Sequence, residues 1–280
     1  MELRHLVVLA AGLLGGCKAP PNKPEAAHRA EPVPAEIQRP KPVPDEIWRP
    51  KPGTSWQWQL SSTIDTSIAA AMYDIDLFDA PDVVFSTLHA RGIKIVCYFS
   101  AGSHEKWRAD AAEIPAGVIG SALEGWPDER WLDIRAEAVR TRMKARLARA
   151  KERGCDAVEP DNVDGYTNRS GFPLTAADQL DYNRFLAREA HVLGLSIGLK
   201  NDLEQVPELV SEFDWALVEE CMVHDECSAL APFIAADKAV FHVEYGPDKL
   251  ARTVCPMAKT LGFDTLIKNV DLDARRVACR

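Results

Sequence analysis

Two stretches of this 280-residue chain run from apolar, β-favouring residues directly into carboxylates: Ala157-Val158-Glu159-Pro160-Asp161-Asn162-Val163-Asp164 and Trp215-Ala216-Leu217-Val218-Glu219-Glu220-Cys221. A carboxylate at the end of an apolar strand is unfavourable unless it is paired or used, so two such ends mark a site rather than a core. Two carboxylates facing one cleft can do nucleophilic and general acid–base work, and the chemistry they suit is cleavage of a glycosidic bond. Asp161 and Glu219 are the expected catalytic pair. Glu220 is the rival to Glu219, and because side chains alternate along a strand only one of the two is expected to point into a shared mouth. The chain has no GxGxxG or GKS/T phosphate loop and no GxSxG elbow, so no cofactor is expected and serine-hydrolase chemistry is set aside.

These residues need elements to position them. From Trp56 onward, short β-branched or aromatic runs alternate with helix-like stretches, the pattern of βα units on a parallel sheet. Strands are expected at Trp56 to Leu60, Ala70 to Asp76, Lys94 to Ser100, Asp156 to Asp161, Leu195 to Asn201, Asp214 to Glu219, Ala239 to Tyr245 and Thr265 to Lys268. Eight strands are what a (β/α)8 TIM barrel of the α/β class requires. Helices are expected at Arg135 to Arg153, with Val139, Met143, Leu147 and Ala150 as its apolar stripe, and at Ala176 to Leu193; Gly154 and Gly194 follow as stop signals. Trp131-Leu132-Asp133-Ile134 reads equally as a ninth strand or a loop. In such a barrel the site lies at the C-terminal ends of the strands. Those ends are polar here: Asp74 and Asp76, Tyr98, Asp161 and Asn162, Lys200 and Asn201, Glu219 and Glu220, Glu244 and Tyr245.

Composition separates the chain into parts. Residues 1 to 52 carry eight Lys/Arg and six Asp/Glu, which leaves 25 basic against 36 acidic residues in the remainder. An acidic folded part argues against nucleic acid and for a neutral or cationic partner. At the N-terminus, Arg4 and His5 precede an apolar run from Leu6 to Leu14 that ends in Gly15-Gly16-Cys17, too short to span a membrane. It resembles a bacterial lipoprotein signal, which implies lipidation of Cys17 and an extracytoplasmic protein that touches a membrane, the outer one, only through that anchor; simple secretion is the alternative. Residues 18–52 hold ten of the nineteen prolines and a ten-residue repeat, Pro32 to Lys41 echoed by Pro42 to Lys51, as in a stiff tether. The expected organisation is 1–17 signal, 18–52 tether and 53–280 barrel. Six cysteines remain, an even number for an exported protein. Cys221 and Cys227 are the expected disulfide, and Cys255 with Cys279 is an open second pair. With no CxxC, a metal site is not expected, although His104 and Glu105 carry ligand-type side chains.

Several segments in order resemble glycoside hydrolase family 114, the endo-α-1,4-polygalactosaminidases, from about Trp56 to the C-terminus. They are Tyr73-Asp74-Ile75-Asp76-Leu77-Phe78-Asp79, Cys97-Tyr98-Phe99-Ser100-Ala101-Gly102-Ser103-His104-Glu105, Glu159-Pro160-Asp161-Asn162-Val163-Asp164-Gly165-Tyr166, Gly198-Leu199-Lys200-Asn201 and Glu219-Glu220-Cys221. The resemblance implies a TIM barrel that cuts a galactosamine-rich polysaccharide. Asp161 and Glu219 match the family's catalytic Asp and Glu, while Val218 stands where the family often has Asn. The ammonium groups of such a polymer would pair with Asp74, Asp76, Asp164 and Glu244, with Lys200 neutralising or orienting Asp161. Tyr98, Asn162, Asn201, Glu220 and Tyr245 complete the expected substrate-binding set, and Trp107, Trp126, Trp131 and Tyr245 are candidate platforms for sugar rings. A monomer is expected. The alternatives are a hydrolase of the same fold acting on a different glycan, and a non-catalytic carbohydrate-binding surface lipoprotein.

Overall fold

The computed structural model describes residues 47–279. In chain order its elements are β1 (Trp56–Gln59), β2 (Met72–Asp76), α1 (Asp82–Ala90), β3 (Lys94–Ser100), β4 (Ser103–Glu105), β5 (Ile119–Leu123), β6 (Trp126–Leu132), α2 (Glu137–Glu152), β7 (Ala157–Asp161), α3 (Ala176–Val192), β8 (Ser196–Lys200), α4 (Val206–Leu209), β9 (Trp215–Glu219), α5 (Ala231–Ala235), β10 (Val240–Tyr245), α6 (Ala251–Leu261), β11 (Asp264–Lys268) and β12 (Val277–Ala278). All eight expected strands are present, in the order β1-β2-β3-β7-β8-β9-β10-β11 and parallel throughout. The fold is the expected α/β barrel. The short β12 adds antiparallel to β11.

The seam between β11 and β1 is joined by the C-terminal segment. Trp56 Nε1 donates to Asp264 O at 2.9 Å, Leu60 N to Leu272 O at 3.0 Å, and Gln57 Nε2 to Ala274 O at 2.9 Å, while the Arg276 guanidinium donates to Trp56 O. A disulfide from Cys255 on α6 to Cys279 pins this segment, and Cys97–Cys155 ties β3 to the entry of β7. The expected Cys221–Cys227 bond closes the loop after β9.

Strand parity sorts the core into two layers. Trp56, Trp58, Met72, Val96, Ala157, Trp215, Leu217, Phe241 and Val243 fill the barrel interior. The residues between them, among them Ile75, Cys97, Val158, Ile197, Leu199, Ala216 and Val218, face outward and pack against the helices. Gly198 is required in the inner layer, because an added Cβ would sit 2.4 Å from the Trp215 ring. Continuing the same period of two carries Glu159 and Asp161 on β7, Lys200 on β8 and Glu219 on β9 inward at the top of the barrel.

Residues between β3 and α2 depart from the βα pattern. They form an antiparallel sheet in the order β4-β6-β5, so Trp131 and Leu132 belong to an inserted sheet and not to a ninth barrel strand. The α2 stripe of Val139, Met143, Leu147 and Ala150 is fully buried as the spacing requires. Arg146 is also buried on that helix; it donates to Ser100 O at 2.6 Å at the tip of β3 and holds Asp110 at 2.9 Å.

The expected signal with Cys17 and most of the expected tether lie outside the described residues. The tether's last residues are packed on the barrel: Pro50 is buried, and Arg49 meets Asp214 at 2.5 Å. Among the described residues no helix is long and apolar enough to cross a membrane.

Candidate active site

A cavity of about 1240 Å³ opens at the C-terminal ends of the strands, and both Asp161 and Glu219 line it. Lys200 sits between them. Its Nζ lies 3.0 Å from Asp161 Oδ1, 3.1 Å from Glu219 Oε2 and 3.1 Å from Glu159 Oε1, with the Trp58 ring centroid 4.9 Å away. The two oxygens that touch Lys200 Nζ are at most about 6 Å apart, which is compatible with the close carboxyl pair of a retaining glycosidase. Burial alone would lower the pKa of the Lys200 ammonium, but Asp161, Glu219 and Glu159 outweigh it and hold the group well above its ordinary value.

Hydroxyl and amide donors fix the pair further. Tyr98 Oη donates to Asp161 Oδ2 at 3.1 Å, and Tyr245 Oη donates to Glu219 Oε1. Asn201 holds Glu219 twice: its Nδ2 lies 3.4 Å from Oε2, and its Oδ1 accepts the Glu219 N–H at 3.1 Å. Val218, where the family often has Asn, is buried and faces outward.

The chain leaves three adjacent strands through left-handed residues directly after Asp161, Lys200 and Glu219: Asn162 (φ 59°), Asn201 (φ 50°) and Glu220 (φ 53°). Asn tolerates this conformation better than most residues, and Asn162 Nδ2 donates across to Ser100 Oγ at the end of β3 at 2.9 Å. The turn also corrects the expectation about Glu220. Strand parity ends at Glu219, so Glu220 is not forced to the outer face, and both residues line the cavity.

Two expected substrate contacts, Asp74 and Glu244, are buried away from the mouth, and a third, Asp76, lines it with its oxygens already engaged. Asp74 is fully buried on the inner face of β2, below the mouth. Burial and the facing Glu159 raise its pKa well above the usual range, and Glu159 in turn meets Lys200. Asp76 reaches the wall but is committed, accepting from Arg108 at 2.6 and 2.9 Å and from the N–H groups of Phe78 and Asp79. Glu244 is buried, 2.9 Å from His242 Nε2 and from the Met222 N–H that donates to it. Asp74 and Glu244 share a reason: a polar residue near a strand end faces a ligand only if it lies on the inward parity and above the last packed layer.

Asp164 does line the cavity; burial and then Asp161 raise its pKa to about 6. Trp107 and Trp126 are half exposed on the rim, and Trp131 and Tyr245 form wall. Missed at the sequence level were Asp202, whose pKa burial and Asp164 push to about 8, and Glu129, raised to about 7 by burial despite the hydrogen bond from Ser103. Glu159, two residues before Asp161, carried a parity signal, whereas Glu129 comes from the inserted sheet and carried none. Among the described residues the one group of side chains close enough to share a metal is Cys221, Cys227 and His242, whose sulfurs are joined in a disulfide; His104 Nε2 lies 3.3 Å from Ala111 O.

Comparison with known proteins agrees with this fold. The structure of Aspergillus fumigatus Ega3 in complex with galactosamine is 38% identical, with a TM-score of 0.80, covering 85% of this chain and 100% of that one. The glycoside hydrolase domain of PelA from Pseudomonas aeruginosa shares the fold, with a TM-score of 0.63 at 15% identity over 80% of this chain and 97% of that one. No curated protein sequence matches the chain. The model of glycoside-hydrolase family GH114 matches residues 38–280, so this chain belongs to that family and is a glycoside hydrolase.

Proposed function

We propose that this protein is an endo-acting hydrolase of α-1,4-linked, galactosamine-containing polysaccharide, with Asp161 as nucleophile and Glu219 as acid and base. The observation that carries the reading is Lys200 Nζ, bonded at 3.0 and 3.1 Å to both carboxylates, which holds them on one point of a cleft large enough for several sugar units. The galactosamine in the Ega3 structure and the acidic wall of Asp164, Asp202 and Glu129 support a cationic sugar.

The expected course is double displacement. An Asp161 oxygen donates an electron pair to the anomeric carbon as the bond to the leaving oxygen breaks, and Glu219 gives that oxygen its proton. Glu219 then takes a proton from water, whose oxygen attacks the same carbon and displaces Asp161, so the configuration is retained. Lys200 and Tyr98 hold the Asp161 carboxylate ready to attack, and Tyr245 and Asn201 orient Glu219. Outside the cytoplasm, with Cys17 lipidated and residues 18–52 as spacer, the barrel would meet the polymer at the cell surface.

Incubation of the purified protein with partially deacetylated polygalactosamine should release reducing ends, first as the α anomer by NMR. Asp161→Asn and Glu219→Gln should each abolish release while leaving the fold intact. Turnover surviving both substitutions refutes the site. β product refutes retention, and polymer binding without release favours the carbohydrate-binding alternative.

A further inference from the structure

The inserted sheet turns one face toward the cavity. The pairing of Ser103 with Trp131 and of Glu105 with Glu129 places these four side chains on that face. The two acids differ in their partners. Glu105 accepts from Arg108 Nε at 2.8 Å and lies 3.6 Å from Arg146. Arg108 is then committed to Glu105, Asp76 and Asp79, and among the described residues no cation is ion-paired with the second acid.

Glu129 is only 9% exposed and lines the same cavity as Asp161 and Glu219. Its Oε2 accepts the Ser103 hydroxyl at 2.7 Å; Ser103 Oγ lies 2.6 Å from Ser100 Oγ, which accepts from Asn162 beside Asp161. Among the described residues Oε1 has no donor and the carboxyl has no ion-pair partner. A largely buried carboxyl with no cation paired to it favours the acid, or the anion beside a cation that arrives with a ligand.

We infer that Glu129 is the specificity residue of a cationic sugar subsite: it receives the C2 ammonium of an amino-sugar unit bound next to the one being cut, with Trp131 beside that unit's ring. The inference rests on the reading of the cleft as one for an amino-sugar polymer. Glu129, near its midpoint at neutral pH, gives up its proton when the ammonium arrives. Ser103 keeps Oε2 fixed, which leaves Oε1 for the ligand. An N-acetylated unit brings a neutral amide in place of the cation and forms no ion pair, so the subsite separates deacetylated from acetylated stretches of one chain.

The test uses a Glu219→Gln background, in which binding is read without turnover. Binding of a deacetylated α-1,4-galactosamine tetramer and of its fully N-acetylated counterpart is measured by calorimetry with and without Glu129→Gln. Glu129→Gln should weaken the deacetylated tetramer by about ten-fold and leave the acetylated one unchanged, with Glu129→Asp recovering part of the loss. Equal losses on both tetramers, or no loss in a folded variant, overturn the inference, as does failure of the background protein to bind the deacetylated tetramer. Binding that depends on Glu129 in a protein whose unmodified form cuts neither tetramer upholds the subsite and refutes the hydrolase reading.

Discussion

Replacing Lys200 by methionine keeps the length of the side chain and removes the one charge that three carboxylates share. Lys200 is 2% exposed and its contacts are 3.0 to 3.1 Å long. At an effective dielectric of about 20, a unit pair at this distance attracts by about 5 kcal/mol. Asp161 and Glu219 are 19% and 25% exposed at the side chain, so water weakens this. Removing one partner of a buried, hydrogen-bonded charge pair typically costs about 2 to 4 kcal/mol. Set against the reaction barrier, that loss makes kcat/KM of Lys200→Met at neutral pH fall about thirty- to thousand-fold. Lys200→Arg, which keeps the charge, should recover part of the loss. Reducing-end assays at neutral pH, with circular dichroism to verify folding, supply the data. A folded Lys200→Met protein whose kcat/KM is unchanged refutes the role assigned to this lysine.

Two further outcomes follow from the wall of the cleft. Asp202 is 4% exposed with Oδ1 unpartnered, and its folded pKa of about 8 lies above the unfolded value, so the folded state keeps a proton that the unfolded state loses. Stability from this group is full below about pH 4 and is lost as pH rises to about 8, by up to about 5 kcal/mol; the fall in midpoint of urea unfolding across that range should be smaller in Asp202→Asn. At Gly102 an added Cβ would lie 1.7 Å from the Asn162 carbonyl oxygen, so Gly102→Ala must push the backbone beside Asp161. It should lower stability by about 1–3 kcal/mol and depress kcat more than it raises KM.

The eight strands were legible because each is a short apolar run with a break on either side, and the barrel follows from alternating these runs with amphipathic stretches such as α2. Asp161 and Glu219 were legible for the same reason, as acids on the inward parity at strand ends. Asp74 misled because inward parity alone does not say how high in the barrel a residue sits; it lies level with Trp58 and Val96, inside the packed layer. Glu220 misled because the chain left the strand one residue earlier than alternation supposed. The inserted sheet was hidden because its strands cover only part of a face and its acids are not flanked by a βα signal.

The order of strands, the side each residue faces and the pair of acids at the mouth are properties of short stretches of backbone, and the amino-acid sequence determines them by itself. That Lys200 stands between the two acids, that Asp74 is buried against Glu159 below them, and that Glu129 joins the cleft from a separate sheet were decided by tertiary structure alone. Electrostatic energies depend on distances between residues far apart in the chain and on the water removed from around them, and both quantities exist only once the ring of strands has closed.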